Sequence, residues 1–181
     1  MYLRLRTSDV WEIRGNFGPG PLFKALSLVC APDDILIVGS YWVSEDVLLQ
    51  LAANEIRLPE GYEKPFSETF DLNKSEYPGG RFYVFNPKET VLDRLAALSV
   101  VSRGGVEKDI FFDHLLVYRE GRPLIPLVYF HDAFSGETRD ASTGGTLYLS
   151  GHYSDQTINA FAERLGATAE LVDNPDLRVQ G

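Results

Sequence analysis

Three times along this 181-residue chain a short apolar run leads into a helix-capping residue and then an amphipathic segment, and that arrangement limits the fold more than anything else in the sequence. Residues 35–40 read as a strand, with Ser44 placed to cap a helix over 45–53. Residues 81–85 read as the second strand. Behind it Asn86 is an N-cap, Pro87 takes the first helical position, where its missing N–H costs nothing, and Glu89 completes a capping-box-like arrangement. That helix runs to about Ser99, with Val91, Leu92, Leu95 and Leu98 on one face. The third unit is a strand over 146–150, then Ser154 as the cap of a helix ending at Leu165. Its Ile158, Phe161, Ala162 and Leu165 recur at i, i+3, i+4 and i+7, the stripe by which a helix buries one side. Gly166 stops it, and 167–172 returns as a strand. The caps fall 42 and 68 residues apart, so no fixed period links the units and a solenoid is disfavoured.

Between the second and third units lies a hairpin. Residues 109–119 and 123–131 are rich in Phe, Leu, Ile, Val and Tyr, with Glu120-Gly121 as the turn. Their almost unbroken apolar character predicts strands buried on both faces, while Pro123 and Pro126 point to an edge or a bulge. Near the start, Leu3/Leu5 and Trp11/Ile13 each alternate with charged residues across Thr7-Ser8-Asp9, which reads as a short hairpin. A Gly/Pro segment then leads into a helix that ends before Pro32. The expected architecture is α+β: one globular domain with a single mixed sheet and about four helices packed on it. Residues 59–80, with a short strand candidate at 66–72, and residues 132–145 are long irregular loops, and 173–181 reads as a flexible tail.

Composition narrows the chemistry. Cys30 is the only cysteine, so neither a disulfide framework nor a cysteine-built zinc site is available, and its apolar neighbours predict a buried, inert thiol. The N-terminus has no apolar signal stretch and no window reaches the length of a membrane helix, which predicts a cytoplasmic protein with no membrane partner. With 26 acidic against 17 basic residues the net charge is -9, a poor match for a phosphate backbone, so nucleic acid is not an expected partner.

The three histidines are His114, His131 and His152. With Arg119 facing Arg122 across the turn, His114 faces Leu127 and His131 faces Ile110. The two histidines are then four ladder positions, roughly 13 Å, apart, too far to share one ion. No metal and no cofactor are expected. The segment 15–21 precedes a helix as phosphate loops do, but Pro19 and Pro21 lack the N–H groups an anion nest needs. No G-x-S-x-G elbow announces a serine hydrolase, and Ser150-Gly151-His152 is adjacency rather than a triad.

Two surfaces remain. If the three units are parallel, their strand ends line one edge, where Tyr41, Trp42 and Ser44, Asn86, and His152, Tyr153 and Ser154 would surround a small-molecule site. Capping alone also accounts for Ser44, Asn86 and Ser154. The second surface is acidic: from Asp33 to Glu76 ten acids meet only Arg57, Lys64 and Lys74. Within it Asp33, Asp34, Glu45, Asp46, Glu60, Glu63, Glu68 and Asp71, with aromatics at Tyr41, Trp42, Tyr62, Phe66 and Tyr77, would suit a basic protein partner. The leading expectation is therefore a protein-binding module, such as a toxin-neutralising immunity protein. The alternative is a small-molecule binder or enzyme centred on His152, Trp42 and Asn86.

Overall fold

A computed structural model of the chain describes residues 9–15, 17–43, 45–60, 62, 81–98, 110–129 and 147–173. Its elements run β1 (Asp9–Arg14), α1 (Pro19–Ala25), β2 (Ile35–Val43), α2 (Glu45–Ala52), β3 (Arg81–Phe85), α3 (Glu89–Leu98), β4 (Ile110–Arg119), β5 (Arg122–Tyr129), β6 (Leu147–Ser150), α4 (Asp155–Leu165) and β7 (Thr168–Asp173). A 3-10 turn, Leu26–Leu28, extends α1. The class is α+β, with four α-helices among the described residues.

The strands form two antiparallel sheets rather than one mixed sheet. The smaller is ordered β6-β1-β7 and the larger β3-β2-β4-β5. Every described pairing is antiparallel, and β5 runs beside β6 at the seam. A strand–cap–helix sequence fixes the order of elements, not the direction in which the next strand enters the sheet. After α2 the chain continues as an extended stretch that bonds the edge of β3 through Ile56 N to the Val84 carbonyl (2.8 Å). β3 lies antiparallel on β2, from Leu36 opposite Phe85 to Ser40 opposite Arg81.

The N-terminal hairpin is also replaced. β1 carries β6 on one edge and β7 on the other, so Trp11 and Ile13 have no free edge for a hairpin partner. Residues 1–8 lie outside the described residues, as do Ser44, the strand candidate at 66–72, the loop at 132–145 and the tail from 174 on.

Alternation on β2 gives the larger sheet two apolar faces. Leu36 and Val38 join Tyr83, Phe85, Leu115 and Val117 in the main core, where the Tyr83 and Phe85 rings stack at 6.5 Å. Leu22, Phe23 and Leu26 of the α1 segment, Val91, Leu92 and Leu95 of α3, and Ile158, Phe161 and Leu165 of α4 fill the same core. Ile35, Ile37 and Leu116 face the other way, under Ile56, Leu58 and Tyr62. Leu115, Leu116 and Val117 are all fully buried, so β4 is covered on both sides over these three residues.

The Glu120-Gly121 turn forms with φ of 48° and 74°, the left-handed pair that a two-residue hairpin uses. Arg119 faces Arg122, but two register shifts follow, and His114 meets Tyr129 instead of Leu127. The prolines at 123 and 126 have no N–H to give the ladder, which accounts for bulges in this stretch.

Candidate functional site

The polar residues that converge do so on the turn joining α1 to β2. Asp34 is 3% exposed, and its carboxylate is met by a backbone amide and by a guanidinium. The Ala31 amide donates to Oδ2 at 2.7 Å, closing the turn locally. Arg119, at the end of β4, donates from Nε to Oδ1 (2.9 Å) and from Nη2 to Oδ2 (2.8 Å), a forked pairing that suits the planar guanidinium. Arg119 Nη2 also reaches the Val29 carbonyl (3.3 Å), and Asn86 Nδ2 donates to the Asp34 carbonyl (3.0 Å).

From the smaller sheet's side, the Tyr153 hydroxyl donates to the same Val29 carbonyl at 2.6 Å. Its own carbonyl accepts from Trp11 Nε1 (3.2 Å), so the tyrosine is held at both ends. Segments from both sheets and two loops thus close on residues 29–34.

The electrostatics keep these groups in fixed protonation states. Hydrogen bonding to Asp34 holds the Arg119 guanidinium even more firmly protonated than usual. Burial, then the charge of Asp34, pushes the Cys30 thiol up to about 12, where it is a protonated and poor nucleophile at neutral pH. Burial likewise raises Tyr153, so the phenol remains a hydrogen-bond donor. Chemically, the cluster is a knot: a carboxylate with its donors in place, a cation spent on it, and two neutral acids.

This arrangement takes Asn86 and Tyr153 from the expected row of strand ends but not Trp42. Because β2 and β3 are antiparallel, Asn86 lies beside the start of β2, whereas Tyr41 and Trp42 lie near its end. At about 3.3 Å per residue, Trp42 is roughly 23 Å along the strand from Ile35. β6, which leads to His152, belongs to the other sheet. The row of parallel strand ends is therefore overturned by strand direction.

Each cap has its own outcome. Ser154 caps α4 as read, with Thr157 N donating to its Oγ (3.3 Å), and Gly166 ends the helix at φ 63°. Asn86 does not sit at the helix start; α3 begins at Glu89, and Lys88 N bonds the Asn86 carbonyl instead (2.8 Å). His152 is exposed, and its backbone amide donates to Ser150 Oγ (3.3 Å), so the serine shapes a turn there. His131 lies outside the described residues. Among the described residues no group of three or more His, Cys, Asp or Glu is placed to hold a metal ion, and no described helix is long and apolar enough to cross a membrane.

The acidic set divides as well. Asp33 and Glu60 are exposed, whereas Asp34 is buried against Arg119 and is withdrawn from any docking face. Glu45 and Asp46 open α2; Glu63, Glu68 and Asp71, with Phe66 and Tyr77, lie outside the described residues. Tyr62 is no open anchor: its ring meets Tyr118 edge-on at 5.5 Å, and its hydroxyl accepts from Gly121 N (3.1 Å). Sequence reasoning placed Trp11 and Arg119 only as hairpin residues and gave neither a part in a polar site. An arginine closing a buried apolar strand was the one available hint.

Compared with protein-family models, with curated proteins and with solved structures, the chain has no match.

Proposed function

We propose that this chain is a cytoplasmic protein-binding module whose acidic first half receives a basic protein, the mode of action of a toxin-neutralising immunity protein. What supports the reading is Leu49. It is 76% exposed, in the middle of the helix that opens with Glu45-Asp46 and inside the stretch that concentrates the negative charge. Single exposed leucines are ordinary on protein surfaces. One set among acids, however, offers an apolar anchor with a charged surround, the combination that gives an interface both affinity and fast, steered association.

The Asp34 knot contributes by holding the turn behind it. With Asp34 turned inward, Pro32 and Asp33 are presented outward next to Leu28, which is 45% exposed. A surface fixed before binding loses less entropy on association.

The test is capture from the native host on immobilised full-length chain at low salt, followed by identification and titration of what salt releases. The reading requires a basic protein whose affinity falls steeply with ionic strength, and a Leu49→Lys variant that binds it at least about tenfold more weakly, since a buried leucine contributes roughly 1.5–3 kcal/mol. Recovery of nothing that salt elutes, or equal binding by the variant, overturns it.

A further inference from the structure

The second apolar face of the larger sheet is built unlike the main core. Its fully buried members among the described residues are Ile35, Ile37 and Leu116, on β2 and β4. They are roofed by one piece of chain outside helix and sheet, residues 55–60 and 62, which ends in a turn (Tyr62 N to the Pro59 carbonyl, 3.3 Å) and contributes Ile56, Leu58 and Tyr62, each of them only half-buried. Arg57, Pro59 and Glu60 of the same piece are exposed.

This roof is fastened at its two ends. At one end Ile56 N donates to the Val84 carbonyl on β3 (2.8 Å). At the other, the Tyr62 hydroxyl accepts from Gly121 N at the tip of the β4–β5 hairpin (3.1 Å), with the Tyr62 ring set edge-on against Tyr118. The piece therefore crosses from β3, over β2, to the end of β4. No described helix contributes a residue to this face: Leu51 of α2 and the clustered residues of α1, α3 and α4 belong to the main core.

We propose that residues 55–60 and 62 are a strap that opens and closes as a unit, with Tyr62 as its latch, while the main core stays folded. Opening breaks the two fastenings described and exposes six apolar side chains, the half-buried Ile56, Leu58 and Tyr62 and the buried Ile35, Ile37 and Leu116; unfolding the main core exposes more than twenty buried ones. Segments with few buried apolar contacts open at far lower free energy than the global transition, so the strap's open state is populated long before the protein unfolds. Open, the strap uncovers Ile35, Ile37 and Leu116, a contiguous apolar face that the closed molecule conceals. Because the strap lies inside the acidic stretch, a negatively charged segment controls access to an apolar one. This inference stands whether or not the partner proposed above exists.

Native-state hydrogen exchange on the full chain, followed amide by amide, tests it. Ile56 and Gly121, the donors at the two fastenings, should exchange through one common opening, much faster than Leu36 and Val38 in β2 and with little dependence on denaturant. Tyr62→Phe, which keeps the ring and removes the acceptor, should speed both strap amides roughly fivefold and leave Leu36 and Val38 unchanged. Leu58→Ala should accelerate the same two amides without touching the latch. The proposal is overturned if Ile56 is as protected as Leu36, if Tyr62→Phe accelerates Gly121 alone, or if strap and core amides speed up together.

Discussion

Asp33 and Asp34 are neighbours of the same type with opposite fates. The first faces solvent; the second is buried and closes a turn with a partner 85 residues away. Replacing Arg119 with Met would leave that carboxylate buried with the Ala31 amide as its one remaining donor among the described residues. Breaking a buried pair costs about 3–5 kcal/mol. Because the Arg119 side chain is 40% exposed and partly screened, we expect roughly 2–4 kcal/mol, read as a lowered denaturant midpoint at unchanged slope. A loss below about 1 kcal/mol would mean that the knot is incidental. The Cys30 thiol gives a pH signature. Its folded value, about 12, lies above its ordinary 9.0, so the folded chain holds this proton more tightly than the unfolded chain. The associated stability is complete below pH 9 and is lost as pH rises toward 12, with Tyr153 acting in the same direction. Thermal melts across this range should fall less steeply for Cys30→Ala than for the native chain. Nothing local in the sequence distinguishes Asp34 from Asp33, and for that reason the knot was illegible there.

Among the elements, what is encoded within a few residues was readable. Ser154, the apolar stripe of α4 and Gly166 all act inside one helix, and each does in the structure what its spacing implied. Ser154→Ala should cost about 1 kcal/mol. The Glu120-Gly121 turn was equally legible, because its φ values are set by two residues. Pairing beyond it was not, since shifts in register depend on how the hairpin settles against β2 and the rest of the sheet. Close approaches between distant segments were silent too. At Gly151, whose amide bonds the Asp9 carbonyl, a Cβ would collide with that same carbonyl, and Asp9 is the first residue of β1. Gly151→Ala should therefore cost more than the cap, roughly 2–3 kcal/mol, by forcing apart β1 and the end of β6. Chemical denaturation of the two variants side by side checks the order; a smaller loss for Gly151→Ala would contradict this packing.

For the whole molecule, strand direction decides which functional surface exists. Strand–cap–helix units on a parallel sheet would have gathered Trp42, Asn86 and His152 around one pocket. The antiparallel pairing of β2 with β3, and the assignment of β6 to the second sheet, separate them. Direction depends on the path of the chain between strands, which local propensity does not record. Asn86 and Tyr153 instead fasten the 29–34 turn at its two ends, on the Asp34 and Val29 carbonyls, and what that turn leaves outward is acidic and apolar. Asn86 thus lies beside the start of β2 and Trp42 near its end. The direct measurement is a spin-label distance between these two positions, introduced as cysteines in a Cys30→Ala background and read by pulsed dipolar spectroscopy. A separation of roughly 23 Å, broadened by the labels, is expected from the strand length between them. A main distance below about 12 Å, the span of a shared small-molecule pocket, would contradict it.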